Sequence, residues 1–122
     1  MSNKKILIAE DNFDNYLLLK IILERLQYNH THVVNGEQAL YEILNNNYDL
    51  LLIDIQMPKI NGYELLKIIR AKNIKTPAIA QTAFAFDTDK NKCFTAGFND
   101  FISKPINREL LLQKINKLIV NE

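Results

Sequence analysis

The chain has one cysteine, three prolines, three glycines and almost no net charge, with 15 Lys and Arg against 14 Asp and Glu for a formal +1. Each shortage excludes something. The lone cysteine, Cys93, rules out an internal disulfide and a cysteine-based zinc site, and an unpaired thiol fits a reducing compartment. So few prolines and glycines leave no room for long flexible linkers. Near-zero charge provides no global field to attract nucleic acid or an anionic membrane. Long apolar runs are also missing. The segment Ile6-Leu7-Ile8-Ala9 stops at Glu10-Asp11, too soon for a signal peptide. No stretch approaches the roughly 20 residues that cross a bilayer. The expectation is a cytoplasmic location, with no membrane and no direct nucleic acid among the partners.

What is present is one domain's worth of alternating patterns. At 122 residues, 48% of them hydrophobic, the chain is long enough to bury a core without staples. Residues 5–9 form a compact β-type run. Asp11 or Asn12 can cap a helix over 13–26, where Leu18, Leu19, Ile22, Leu23 and Leu26 repeat at helical spacing. Residues 30–34 read as a polar strand near an edge. A helix opened by Asn35-Gly36 follows, carrying Ala39, Leu40, Ile43 and Leu44 and ended by Asn45, Asn46 and Asn47. The apolar run 49–53 fits a central strand covered on both faces and ends at Asp54. After the turn 57–62 come a helix with Leu65, Leu66, Ile68 and Ile69, a strand over 77–81 ending at Thr82, and a helix over 87–96 stopped by Gly97. A short strand over 100–102 leads into Ser103-Lys104-Pro105, and a last helix runs from Asn107 to Ile119. These five β–α units predict a single α/β domain, a parallel sheet with helices on both faces.

In such sheets ligands bind beyond the carboxyl ends of the strands. Standing there are Glu10 and Asp11, Asp54, Thr82 and Lys104: three acids, a hydroxyl and an ammonium on one rim. Carboxylates about 4–6 Å apart repel by about 3–4 kcal/mol per pair at an effective dielectric near 20. That is a large share of a typical stability of about 5–15 kcal/mol. The cluster therefore calls for cations. Lys104 is one, and Mg²⁺, a hard ion that takes carboxylates, waters and phosphate, is the other. A phosphoryl group then has a place to sit, and Asp54 is a candidate nucleophile. Helix capping is a weaker reading, because capping needs one acid and the rim has three.

Over its whole length the chain resembles the receiver domain of two-component response regulators. The resemblance lies in the acidic pair Glu10-Asp11, in Asp54-Ile55-Gln56-Met57-Pro58-Lys59-Ile60-Asn61-Gly62, in Thr82-Ala83, and in Phe101-Ile102-Ser103-Lys104-Pro105. It implies a (βα)5 flavodoxin-like doubly wound sheet of strand order 2-1-3-4-5, with residues 1–122 as one receiver domain. It implies that Asp54 accepts phosphate from a histidine kinase or a histidine phosphotransfer protein. Asp11, Asp54 and the Gln56 backbone carbonyl would bind Mg²⁺, with Glu10 acting through a bound water. Lys104 and Thr82 would hold phosphoryl oxygens, and Phe101 would swing inward as Thr82 moves. The Lys104–Pro105 bond would be cis. Such a domain is a switch rather than an enzyme, and a phosphorylation-dependent homodimer is among its options. The Glu10-Asp11-Asn12 turn and the Thr82-Ala83-Phe84-Ala85 run look most like receivers attached to hybrid sensor kinases. No effector fits in this length, so the controlled part is expected elsewhere.

Some residues carry separate expectations. Phe101 lacks the hydroxyl of the tyrosine often found there and could be simple core. Gln56 and Phe84 sit two residues past Asp54 and Thr82, flanking the phosphoryl group in the family; a bulky Phe84 would slow autodephosphorylation by hindering water. Phe13, Leu17 and Ile21 fall at i, i+4 and i+8 beside the acidic pair, a docking face for a helical histidine-bearing partner. His30 and His32 read as one face of a weak strand away from the rim, and Cys93 as packing. Lys90, Lys92, Lys114 and Lys117 read as solvated faces. Two rival classes remain. A flavin or nucleotide binder would need a phosphate loop after the first strand, where Glu10-Asp11-Asn12-Phe13-Asp14 would repel phosphate. A non-phosphorylated docking module would have no use for the complete rim.

Overall fold

The computed structural model describes residues 3–83 and 87–119. The elements alternate as β1 (Lys5–Ala9), α1 (Phe13–Arg25), β2 (Asn29–Val33), α2 (Gly36–Asn45), β3 (Leu50–Asp54), α3 (Gly62–Ala71), β4 (Ala78–Thr82), α4 (Asp87–Ala96), β5 (Asp100–Ser103) and α5 (Arg108–Leu118). All strands are parallel, in the order β2-β1-β3-β4-β5.

Burial follows this order. β3 and β4 lie inside the sheet and are buried at every residue, as strands covered on both faces must be. β2 is an edge strand, which explains its mixed Asn-His-Thr-His-Val sequence. Alternation divides the apolar side chains into two cores. Leu7, Leu51, Ile53 and Ala80 meet Ala39, Leu66 and Cys93 of α2, α3 and α4. Ile8, Leu52, Ile79 and Ile102 meet Leu19, Leu23, Leu111 and Ile115 of α1 and α5 on the other face. Cys93 is a buried packing residue, as expected.

Boundaries shift by a residue for local reasons. β4 starts at Ala78 because Pro77 has a carbonyl for Leu51 N, at 2.9 Å, but no N–H for the ladder. β5 reaches Ser103, which stands in register with Thr82. Four asparagines cap helices: Asn12, Asn35, Asn61 and Asn107 each accept from the backbone amide three residues on, at 2.9–3.0 Å. Asn12 rather than Asp11 therefore caps α1, and the acidic pair is free of that duty. Gly97, at φ +115°, ends α4 in the left-handed region. Gly36 lets the start of α2 press against the loop after β3; a Cβ there would lie 1.9 Å from the Ile60 carbonyl oxygen. That contact holds in place the loop that follows Asp54.

Candidate phosphoryl and metal site

The rim assembles as the strand ends require. Glu10 follows β1, Asp54 closes β3, Thr82 closes β4 and Lys104 follows β5. Glu10 is fully buried, Asp54 and Thr82 nearly so, and Asp11 is exposed. Carboxylate oxygens of Glu10, Asp11 and Asp54 all lie within 4.8 Å of one another. An all-oxygen, acid-rich set of this size fits a hard divalent cation such as Mg²⁺.

Lys104 links the acids. Its Nζ donates to Asp54 Oδ2 at 3.1 Å and sits 3.1 Å from Glu10 Oε1. The second contact is an ion pair without hydrogen-bond alignment, and Glu10 Oε1 has no other partner among the described residues. Glu10 Oε2 accepts from Asn12 N at 3.2 Å, and Asp54 Oδ1 from Gln56 N at 3.0 Å. Burial, then the neighbouring Asp54, pushes the Glu10 carboxyl up to about 7; the Asn12 amide and Lys104 pull only partly the other way. Burial by itself would lower the Lys104 ammonium, but the Asp54 and Glu10 carboxylates outweigh it and hold it above its usual value. The site is short of positive charge.

The Lys104–Pro105 bond is cis, as expected. Lys104 N donates to Thr82 O at 2.8 Å, tying the end of β5 to β4. Phe101 is half-buried, edge-on to Phe94 at 6.1 Å, with Nζ of Lys90 and of Lys114 each 5.4 Å from its ring centre. This corrects the reading of those two lysines as solvated: Lys114 also donates to Asp100 Oδ1 at 2.9 Å, and its side chain is mostly covered. Phe13 and Ile21 are exposed and Leu17 is half-buried on α1. Phe84 lies outside the described residues.

The histidines depart from expectation. His32 is at the rim: its Nε2 lies 2.8 Å from the Glu10 carbonyl oxygen, which can only accept, so His32 donates. Tyr16 stacks on the His32 ring at 3.7 Å and 4°, and its hydroxyl bonds His30 Nε2 at 2.9 Å. Glu10 N also donates to Val33 O at 3.0 Å, so β2 holds both backbone groups of Glu10. The cause is register: Ala9 pairs with Val33, which brings residue 32 beside the turn. The His-x-His spacing shows a shared face but not its height on the sheet. Sequence reasoning also passed over Gln81, a fully buried amide one residue before Thr82, whose only signal is a polar residue in an apolar strand.

Residues 6–116 match the family model of the response regulator receiver domain. The hybrid signal transduction histidine kinase I of Dictyostelium discoideum is 39% identical over 128 residues, covering 98% of this chain and 7% of that protein. The chain thus spans under a tenth of the length of the hybrid kinases it matches. The receiver domain of a Pseudomonas aeruginosa PAO1 sensor histidine kinase, solved with magnesium coordinated in its active-site cleft, superposes with a TM-score of 0.87 at 34% identity, over 96% of this chain and 98% of that one. A Saccharomyces cerevisiae response regulator's receiver domain, co-crystallised with a histidine phosphotransfer protein, gives 0.86 at 27% identity, over 95% and 88% of the two chains.

Proposed function

Since the chain belongs to the response regulator receiver domains of two-component signalling, we propose that it is a phosphoacceptor switch in a phosphorelay, phosphorylated on Asp54. The observation that carries this is the half-buried Lys104 ammonium, 3.1 Å from both Asp54 and Glu10 inside a cluster of three acids. An Asp54 carboxylate oxygen attacks phosphorus in a phosphohistidine of the partner. The P–N bond breaks, and the imidazole leaves with its electron pair and takes up a proton. Glu10, Asp11, Asp54 and the Gln56 carbonyl would hold Mg²⁺, which supplies positive charge to offset the carboxylates and phosphoryl oxygens. Lys104 orients one phosphoryl oxygen and Thr82 hydrogen-bonds another.

Phosphorylation adds roughly −1.5 to −2 charges. That charge draws Lys104 off Glu10 and Thr82 toward the rim, and both are anchored in β4 and β5, where Lys104 N holds Thr82 O. The surface carrying Phe101 then moves between two packings. The phosphoryl donor is a histidine kinase or a histidine phosphotransfer protein, docking on Phe13, Leu17 and Ile21 beside the acids. The yeast receiver solved with its phosphotransfer protein supports this class of partner. Among the described residues no helix is long and apolar enough to cross a membrane; the setting proposed is cytoplasmic, with no direct nucleic-acid contact.

The test is beryllofluoride, a phosphoryl mimic, added with Mg²⁺. A Mg²⁺-dependent shift in the NMR signals of β4 and β5, abolished by Asp54→Asn, is the expected result. A wild-type chain that binds Mg²⁺ but shows no such shift is instead the docking module. For the partner, Leu17→Glu with Ile21→Glu should slow phosphotransfer from a histidine phosphotransfer protein about tenfold or more, while phosphorylation by phosphoramidate stays at the wild-type rate. Equal slowing with both donors would remove the docking face.

A further inference from the structure

Gln81 is fully buried in β4, yet neither its Oε1 nor its Nε2 has a hydrogen-bond partner among the described residues. A buried polar group without a partner destabilises the fold, because it has given up its bonds to water for nothing. Ala78, Ile79 and Ala80, the preceding residues of this enclosed strand, are all apolar. Packing alone would be served as well by leucine or methionine.

Its position accounts for it. Gln81 is in register with Asp54 on β3 and with Ile102 on β5. Leu52, Ile79 and Ile102 point into the α1–α5 core. Side chains alternate along a strand, so Asp54 and Gln81, each two residues further on, share that side of the sheet. β4 lies between β3 and β5. The Lys104 side chain leaves the end of β5 and finishes 3.1 Å from Asp54 Oδ2 on β3. It therefore crosses the strand that Gln81 occupies. An ammonium has three protons; in this structure one is hydrogen-bonded to Asp54, and Glu10 is held by charge alone.

Building on the phosphoacceptor reading above, we propose that Gln81 is a positioning residue for Lys104. Among the described residues its carboxamide is left without a partner in the resting state. When the ammonium turns from Glu10 to a phosphoryl oxygen, Gln81 Oε1 accepts a Lys104 N–H. The resting state is raised by the unpaired amide and the phosphorylated state is not, so Gln81 biases the two-state equilibrium toward the active packing.

The experiment measures beryllofluoride affinity in saturating Mg²⁺ and urea unfolding in Mg²⁺-free buffer, for wild type, Gln81→Leu and Gln81→Met. Both variants are expected to unfold at higher urea than wild type and to bind beryllofluoride about tenfold more weakly, the loss of one hydrogen bond to a charged donor. In a Lys104→Met background, Gln81→Leu should produce no further loss. Wild-type affinity in the single variants, or an undiminished effect without Lys104, overturns the assignment and leaves Gln81 as packing. Methionine keeps the side chain's length, so one variant remains informative if leucine prevents folding. A wild-type chain with no response overturns the phosphoacceptor reading and this inference together. A responding wild type with equally responding variants overturns only the inference.

Discussion

The two ends of the sheet solve opposite problems. At the amino ends of β4 and β5 one cation is fully provided for: Arg70 donates to the carbonyls of Gly97 at 3.0 Å and Ile74 at 2.8 Å, and to Asn99 Oδ1 at 3.2 Å. Asn99 Oδ1 also accepts from Ala78 N at 2.9 Å. The acceptors are neutral, so Arg70 keeps its charge but spends these hydrogen bonds within the fold. At the carboxyl ends the balance is reversed. Two buried carboxylates share one ammonium, a third acid stands beside them, and Glu10 is held near neutrality by its surroundings. One end closes the fold; the other keeps a deficit of positive charge, which the divalent cation proposed above would relieve. Stability at the closed end is thus separated from function by the length of the sheet, whereas at the open end the two trade against each other.

The largest effect should come from the closed end. Arg70→Ala removes three bonds made by a charged donor and is expected to cost about 2–4 kcal/mol in chemical denaturation, with Mg²⁺ affinity of the folded protein unchanged. A parallel loss of Mg²⁺ affinity would break the separation. A middle-sized effect belongs to Glu10. Its folded pKa of about 7 stands above the ordinary value of 4.5. The metal-free fold should therefore be most stable below that ordinary value and lose stability as pH rises toward 7, with no further change from this group above it. Glu10→Gln should flatten that slope and stabilise the Mg²⁺-free protein at pH 8 by about 1–2 kcal/mol, less than the full shift because the ion pair with Lys104 is lost as well. The same change should weaken Mg²⁺ binding. Denaturant melts across pH 4–8, with and without Mg²⁺, check both. The smallest effect concerns the clamp behind the site. His32→Phe keeps a ring for Tyr16 to stack on but loses the bond to the Glu10 carbonyl. Mg²⁺ affinity should fall about 3–10-fold, while the unfolding midpoint in Mg²⁺-free buffer barely moves. Titration of Mg²⁺ by calorimetry reads it.

The rim was legible because of a rule of geometry. In a parallel sheet all strands end on one side, so Glu10, Asp54, Thr82 and Lys104, distant in the chain, converge once the strands are recognised. The helix caps were legible in part, since Asn107 and the start of α2 announce themselves, whereas Asn12 and Asp11 were equal candidates until the Asn12 bond to Asn15 N decided between them. His32 was placed at the wrong height because alternation gives the face of a side chain but not its level relative to the neighbouring strand. Lys90 and Lys114 read as solvated from sequence because helical spacing cannot show that a ring, Phe101, stands under both.

The order of apolar and polar residues by itself determined the five β–α units, the covered central strands and the identity of the reacting groups, because periodicity and residue chemistry are local properties of a chain. Tertiary structure alone decided how those groups share charge. Whether Lys104 lies between Glu10 and Asp54, whether Glu10 is buried deeply enough to resist ionising, whether β2 clamps the acidic turn and whether Gln81 finds a partner among the described residues depend on distances across strands and on exclusion of water. Those are set by strand order and register, to which residues far apart in sequence contribute together.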